Sequence, residues 1–336
     1  HQCDRRQRQM CIRDRVNKYL ERIAADTSIK PINLDNVATE YLGTDYKLYN
    51  QMLKMTLISA VARVKDRGCK FDNCCVLVGK QGTGKSTFWR YLASDEFFAD
   101  TWQPKPQDLA MMLQRCWIFE IAELDRISPN SEKATTLKAL LSSPIDTFRR
   151  PYGRSIGSYP RPSIMVSSCN RTDFLNDPTG SRRYWVINLE GKLINNKKVL
   201  NDRNRIWKAA VLAYKEGMIL DLEDEYKEEI NIRNLNFEAE HPFYSRIEEW
   251  TNKEHNKYRF TTVQALVNSG CRNDEHVTDK DVKEAADCLR KLGHDKKQYR
   301  FGGRKTYYWF HPEWSIEQKK KEPRIIKIPD KGHYEI

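Results

Sequence analysis

The sequence predicts an α/β fold built around a mostly parallel sheet that helices cover on both faces. The first observation is a set of short, continuous apolar runs, at residues 74–78, 117–121, 163–168 and 184–189. Runs of this kind are typical of strands that are buried on both faces. The second observation is that helical patterns, such as those at 131–141 and 203–215, lie between or after these runs. This alternation favours parallel connections between the strands.

By its pattern the chain divides into a helical segment, an α/β domain, a smaller C-terminal domain and a charged tail. We expect their limits at 16–66, 67–235, 236–315 and 316–336. The helical segment carries apolar residues at helical spacing, among them Leu53, Leu57 and Val64. Residues 1–15 are set apart, because the stretch RRQRQMCIRDR looks like translated sequencing adapter; the alternative is a basic N-terminal arm.

Three helices and a hairpin are predicted in the C-terminal domain. Two short helical patterns cover 241–250 and 262–268, and Thr278-x-x-Asp281 indicates a capping box that opens a third helix. After that helix, residues 299–301 and 306–310 flank a Gly302–Gly303 turn and predict a β-hairpin. This order is that of a winged helix.

The bulk composition points to a basic protein. The 336 residues include 58 Lys and Arg against 46 Asp and Glu, a formal net charge of +12. Such an excess suggests nucleic acid as partner, although a lysine-rich solvated surface is the alternative. The nine cysteines show no zinc spacing, which predicts a reducing cytoplasmic location without disulfides or structural metal. No apolar run approaches the roughly 20 residues of a bilayer span, so we expect no membrane partner.

The first strand-like run leads directly into a glycine-rich loop that is typical of phosphate binding. Gly79 and Gly84–Lys85–Ser86 match the pattern G-x-x-x-x-G-K-[ST] in full. In such a loop backbone N–H groups and the next helix N-terminus point at phosphate oxygens. We predict ATP or a close nucleotide, with Lys85 on the β- and γ-phosphates and Ser86 on Mg²⁺; the alternative is a turn with an unrelated lysine. The expected nucleotide-binding residues are Gly79, Lys80, Gln81, Gly82, Thr83, Gly84, Lys85, Ser86 and Thr87.

Carboxylates at the end of the second predicted strand complete the expected ATPase chemistry. Glu120 ends a hydrophobic run, and Glu123 follows three residues later. One would hold Mg²⁺, for which we choose Glu120, and one would orient the attacking water. Asp125 is a third candidate. For each of the three, the alternative is an ordinary surface carboxylate at the start of a helix.

Polar residues at two further strands extend the catalytic set. Asn170 follows the run 163–168, where an amide can contact the γ-phosphate; a turn-forming asparagine is the alternative. Arg182 and Arg183 precede the last run, and one of them is expected to stabilise the transferred phosphoryl group, in cis or from a neighbouring subunit. Because adjacent residues on a strand point to opposite faces, we expect only one of the two to act, and we choose Arg182. Ordinary surface charge is the other interpretation of this pair.

Two basic hairpins are candidate DNA contacts. Residues 142–162 contain four arginines with interleaved tyrosines, of which Arg149, Arg150, Tyr152 and Arg154 are predicted to bind DNA; a solvated loop is the alternative. The C-terminal hairpin is also dense in basic residues and would contact duplex DNA, or dock a protein. Its predicted DNA-binding residues are Lys297, Arg300, Arg304 and Lys305.

Together these motifs resemble the virulence-associated protein E family over about residues 34–309. The stretches that carry the resemblance are ATEYLG at 38–43, AVAR at 60–63, GCKFD at 68–72, the phosphate loop, WIFEIAEL at 117–124, FRRPYGR at 148–154, NRTDFL at 170–175 and DPTGSRRYW at 177–185. The resemblance implies an AAA+-like P-loop ATPase domain related to superfamily 3 helicases, often fused behind a primase-polymerase. It also implies a role in replicating a phage, plasmid or genomic island.

Two functions remain open from the sequence. The first is a DNA-stimulated ATPase with ATP and Mg²⁺ as cofactors, forming a homo-oligomeric ring, expected to be a hexamer, that translocates on single-stranded or duplex DNA. A primase-polymerase would be a further partner. The second is an ATP-switched origin-binding initiator or loader without unwinding activity.

Overall fold

The computed structural model describes residues 12–66, 68–122, 124, 127, 131–149, 155–175, 181–218, 220–237, 242–253, 259–301 and 304–312. Of residues 300, 301 and 304 it describes the backbone only. The chain forms two compact units, one up to Ala239 and one from Glu240. Among the described residues, no helix combines the length and apolar character that a membrane span requires.

The helices of the first unit are α1 (Ile12–Ala25), α2 (Val37–Leu42), α3 (Lys47–Lys65), α4 (Lys85–Ala93), α5 (Pro106–Leu113), α6 (Glu132–Ser142), α7 (Asn196–Lys215) and α8 (Asp224–Asn234). Its strands are β1 (Cys74–Val78), β2 (Phe98–Ala99), β3 (Ile118–Ala122), β4 (Ile145–Arg149), β5 (Ile156–Pro160), β6 (Ile164–Cys169) and β7 (Tyr184–Asn188). Helix α1 takes in the last four residues of the segment 1–15, and Arg13 Nε donates to the Val64 carbonyl at 3.1 Å.

Five strands form one sheet in the order β2-β3-β6-β1-β7, and every neighbouring pair is parallel. The predicted α/β class with a parallel sheet is therefore confirmed. Consecutive residues of β1 point to opposite faces, so that Cys75 and Leu77 enter one apolar core while Cys74 and Val76 enter a second. Both faces being buried explains why the strands are continuously apolar.

Helices α3 and α7 pack together beside the first core, with α1 against both. Most residues of α3 are buried, as expected of a helix that is apolar on every side. Helix α7 begins at Asn196, seven residues before the predicted start, because its polar first turns conceal the apolar periodicity. The sequence reasoning did not identify α5, which is only eight residues long.

The second unit contains α9 (Tyr244–Asn252), α10 (Thr262–Asn268), α11 (Asp279–Lys291) and an antiparallel hairpin of β8 (Asp295–Phe301) and β9 (Arg304–Phe310). The predicted capping box at Thr278 and Asp281 is present. A second box, at Thr261 and Gln264, was not foreseen. Trp309 is fully buried among the helices, and its indole donates to Thr262 Oγ1 at 2.9 Å.

Candidate nucleotide site and basic surfaces

The glycine loop connects the carboxyl end of β1 to the N-terminus of α4, as the phosphate-binding pattern requires. Gly82 and Gly84 have φ of 84° and 89°, in the left-handed region where a side chain would be strained. At Gly84 a Cβ would also lie 2.2 Å from the Asn196 amide nitrogen. A side chain at position 84 would therefore strain the backbone and would displace the Asn196 amide.

Neighbouring elements hold the loop in place through backbone contacts. Gly79 N donates to the Cys169 carbonyl at 3.1 Å, and Ile194 N donates to the Thr83 carbonyl at 3.1 Å. The Asn196 amide, on the first residue of α7, donates to the Gly84 carbonyl at 2.9 Å. Asn196 was missed by sequence reasoning, since it is remote in sequence and no local motif marks it.

Lys85 lies folded against the loop, with its ammonium group buried. Its Nζ donates to the carbonyls of Gly79 at 2.7 Å and Lys80 at 2.9 Å, and to Asn170 Oδ1 at 3.0 Å. The predicted sensor Asn170 and the predicted phosphate ligand Lys85 are therefore in direct contact. Both lie at the carboxyl ends of adjacent strands, β6 and β1.

Glu120 forms the centre of a polar cluster beside the first turn of α4. Its Oε1 accepts hydrogen bonds from Ser86 Oγ, at 2.8 Å, and from Ser168 Oγ. Burial raises the pKa of the Glu120 carboxyl, and the two serine hydrogen bonds partly offset this. Ser168 is a second residue that sequence reasoning missed, although it lies on the polar end of a predicted strand.

The cluster has the donor set that a hard divalent cation prefers. Glu120 Oε2 is buried without a hydrogen-bond partner, while Oε1 touches Ser86, the residue predicted to ligate Mg²⁺. An unpartnered buried carboxylate oxygen is costly, and a cation would satisfy it. The residues present therefore fit Mg²⁺ held by Ser86 and Glu120. Glu123 and Asp125, the other acidic candidates, lie outside the described residues.

The arginine pair lies at the opposite end of the sheet. Arg182 and Arg183 occupy a 3-10 turn, Ser181–Arg183, immediately before β7, so their predicted position on a strand is wrong. Because a strand rises about 3.3 Å per residue, the five residues of β1 and β7 separate this turn from the glycine loop by at least about 13 Å. Neither arginine can reach the phosphate loop of its own chain.

The first basic hairpin consists of β4 and β5, with exposed Arg149 at the end of β4. Arg150, Tyr152 and Arg154 lie outside the described residues. Arg161, by contrast, is buried, and its Nε and Nη2 donate to Asp146 Oδ1 at 3.0 and 2.5 Å. Its charge is therefore neutralised at the hairpin base. The hairpin also forms one wall of an open pocket of about 1060 Å³, between α5 and α6, that contains no residue of the glycine loop.

The second hairpin exposes lysines on both of its faces. Lys297 and Lys305 are exposed, whereas nothing is described of the side chains of Arg300 and Arg304. Tyr307 is also exposed, and the Lys296 ammonium lies 4.9 Å from the centre of its ring. Tyr307 was not proposed from the sequence, where it is hidden in the aromatic run YYWF.

Comparisons with known proteins address the family of the chain. Two solved structures resemble it: an A-form apo structure of the NrS-1 C-terminal region has 14% identity and a TM-score of 0.45, and a second structure of that region has 13% and 0.42. Both alignments cover 86% of this chain and 78% of the other. No curated protein matches. The family model of the virulence-associated protein E-like domain matches residues 23–239, more than half of the chain. The chain therefore belongs to the virulence-associated protein E-like family.

Proposed function

We propose that this chain is an AAA+-like, P-loop ATP hydrolase that works on DNA during replication of a mobile genetic element. The observation that carries the proposal is the convergence of Lys85, Asn170, Ser86 and Glu120 at one end of a parallel sheet. These are the residue types that phosphoryl transfer requires: Glu120 lies on β3, Asn170 directly follows β6, and Lys85 and Ser86 begin α4.

The proposed chemistry uses the contacts already present. Lys85 would exchange the Gly79 and Lys80 carbonyls for phosphate oxygens, which are stronger, charged acceptors. Ser86 and Glu120 would hold Mg²⁺, which supplies neutralising charge on the phosphates when bound. Asn170 would then contact the γ-phosphate or the attacking water, since its amide already lies beside the Lys85 ammonium. Glu123 is retained as a candidate for orienting that water.

The position of Arg182 and Arg183 supports an assembly of several copies. An arginine that stabilises the transferred phosphoryl group must touch it, and these two lie at the far end of their own sheet. We therefore propose that they serve the site of a neighbouring copy in a ring, which we expect to be a hexamer. The exposed surface of Arg182 is compatible with that role.

DNA is the proposed substrate of the motor. The formal charge of +12, exposed Arg149 on the first hairpin, and Lys297, Lys305 and Tyr307 on the second supply phosphate contacts and a stacking surface. We propose that the second unit is a winged helix whose wing is the β8–β9 hairpin. A buried ion pair between Asp146 and Arg161 fixes the base of the first hairpin.

ATP turnover and strand displacement, measured with and without single-stranded DNA, test this proposal. We expect DNA-stimulated hydrolysis, and in Arg149→Ala a several-fold weaker stimulation with unchanged basal turnover. Lys70→Ala, which removes an exposed charge elsewhere, serves as control. Absence of any ATP turnover would contradict the enzyme assignment, whereas DNA binding and turnover without strand displacement would favour the initiator or loader.

A further inference from the structure

Four exposed apolar side chains lie at the two ends of the parallel sheet. Within the described part of the chain, Leu193 and Leu200 are 74% and 49% exposed, and Ile232 and Leu235 are 68% and 61% exposed. Single exposed apolar residues are ordinary. Here, however, one pair lies beside the phosphate loop, and the other lies beside the turn Ser181–Arg183 that carries the two arginines. Both pairs therefore lie next to residues of the proposed ATPase site.

The first pair belongs to what we call the loop patch, Lys192, Leu193, Lys197 and Leu200. Leu193 immediately precedes Ile194, whose N–H donates to the Thr83 carbonyl. Leu200 lies one helical turn after Asn196, whose amide donates to the Gly84 carbonyl. Both lysines of the patch are exposed. The loop patch is thus apolar and basic, and it is anchored to the phosphate loop.

The second pair belongs to the α8 patch, Glu225, Glu228, Ile232 and Leu235. The spacing of Glu225, Glu228 and Ile232 places them on one side of α8, Leu235 directly follows the helix, and all four are exposed. Asn234, on the buried side of the same helix, donates from its amide to the carbonyls of Ser181 at 2.8 Å and Tyr184 at 3.1 Å. The α8 patch is thus apolar and acidic, and it is anchored to the turn that carries Arg182.

We propose that the loop patch of one copy of this chain binds the α8 patch of the next, head to tail. The inference rests on the proposed function and names the surface through which the copies meet. The two patches carry opposite charges, each exposes two apolar side chains, and they lie at opposite ends of the sheet, as a heterologous contact requires. The same contact brings Arg182 of one copy towards the phosphate loop of the other, which neither Arg182 nor Arg183 of its own chain can reach.

A pair of variants tests this arrangement through its geometry. Ile232→Asp with Leu235→Asp removes the α8 patch, and Leu193→Asp with Leu200→Asp removes the loop patch. Size-exclusion chromatography with light scattering in Mg²⁺–ATP should find each variant monomeric. Their equimolar mixture should form a dimer and nothing larger, because exactly one intact loop patch and one intact α8 patch can meet. Ile156→Asp, at an apolar hairpin residue that is 70% exposed, should assemble as the wild type does.

Charge reversal provides a milder second test that does not disturb apolar surface. Glu225→Lys with Glu228→Lys, and Lys192→Glu with Lys197→Glu, should each weaken self-association at least tenfold. Combining all four in one chain should restore it, since the opposite charges again face each other. Far-UV circular dichroism and binding of a fluorescent ATP analogue check that every variant is folded.

The outcomes separate the interface from the function. The inference is wrong if the mixture of aspartate variants stays monomeric, if either variant assembles like the wild type, or if the wild type binds the ATP analogue yet remains monomeric. A wild type that does not bind the analogue contradicts the proposed ATPase function instead. Recovery of assembly in the quadruple charge variant supports the pairing of these two patches over any other.

Discussion

The two ends of the parallel sheet differ in what they bring together. At the carboxyl end, strands β1, β3 and β6 gather Lys85, Glu120 and Asn170 beside the glycine loop. At the amino end, the turn before β7 carries Arg182 and Arg183, held by Asn234 of α8. We propose that the residues at the carboxyl end carry out phosphoryl transfer and that the arginines at the amino end supply positive charge to another copy. On this proposal the site is divided between copies.

Among the predicted changes, loss of Lys85 at the carboxyl end of the sheet should reduce ATP turnover the most. Lys85→Ala removes the buried ammonium that contacts Gly79, Lys80 and Asn170, and we expect ATP turnover to fall by about 10³-fold or more. Steady-state phosphate release measures this, with Lys70→Ala as the charge-matched control. Turnover within tenfold of the wild type would show that the site lies elsewhere.

Loss of Arg182, at the amino end of the sheet, should reduce ATP turnover by a comparable or slightly smaller factor. Arg182→Ala is expected to reduce turnover by about 10³-fold while leaving binding of an ATP analogue unchanged, because the side chain is remote from its own loop. Mixing it with Lys85→Ala should recover part of the activity, since an intact loop then meets an intact arginine. Failure of the mixture to recover any activity would argue against a divided site.

Glu120→Gln tests the metal cluster and should reduce turnover by about 100-fold. Burial raises the pKa of this carboxyl above its ordinary value of 4.5, so the folded protein favours the protonated form. The contribution of this group to the free energy of unfolding is fully present below pH 4.5, and it is lost as the pH rises through the raised pKa of the folded protein. Without nucleotide, the Tm of the variant should therefore rise above that of the wild type as the pH approaches neutrality. Mg²⁺–ATP should reduce this difference in Tm. A Tm difference between variant and wild type that does not vary with pH would contradict this assignment.

The smallest expected effect concerns the support of the arginine turn. Asn234→Ala leaves the carbonyls of Ser181 and Tyr184 without their amide donor, at a cost of about 1–3 kcal/mol in the free energy of unfolding. Turnover should fall about tenfold if the turn is displaced, with nucleotide affinity unchanged. Chemical denaturation and phosphate release measure the two effects. Normal ATP turnover despite the loss of stability would show that Asn234 is not needed to position Arg182.

The sequence indicated the carboxyl end of the sheet far better than the amino end. Gly79 to Ser86 and the end of the Glu120 strand are local patterns, and parallel strands necessarily bring such ends together. Asn196 and Asn234 reach the loop and the turn from distant parts of the chain, so no local pattern marks them. Ser168 lies in the predicted polar strand end, but the pattern does not show that its hydroxyl contacts Glu120. The prediction that Arg182 and Arg183 lie on a strand was wrong, because both residues belong to a 3-10 turn that precedes β7.

The buried pair of Arg161 and Asp146 gives the first hairpin a mechanical property. Arg161 Nη1 donates to the Leu140 carbonyl at 2.5 Å, and Gln114 Nε2 donates to Asp146 Oδ2 at 2.8 Å. Detaching the hairpin base would strand two buried charges, which costs several kcal/mol. The hairpin base is therefore attached to the ends of α5 and α6, so that a force applied to β4 or β5 would be transmitted to those two helices.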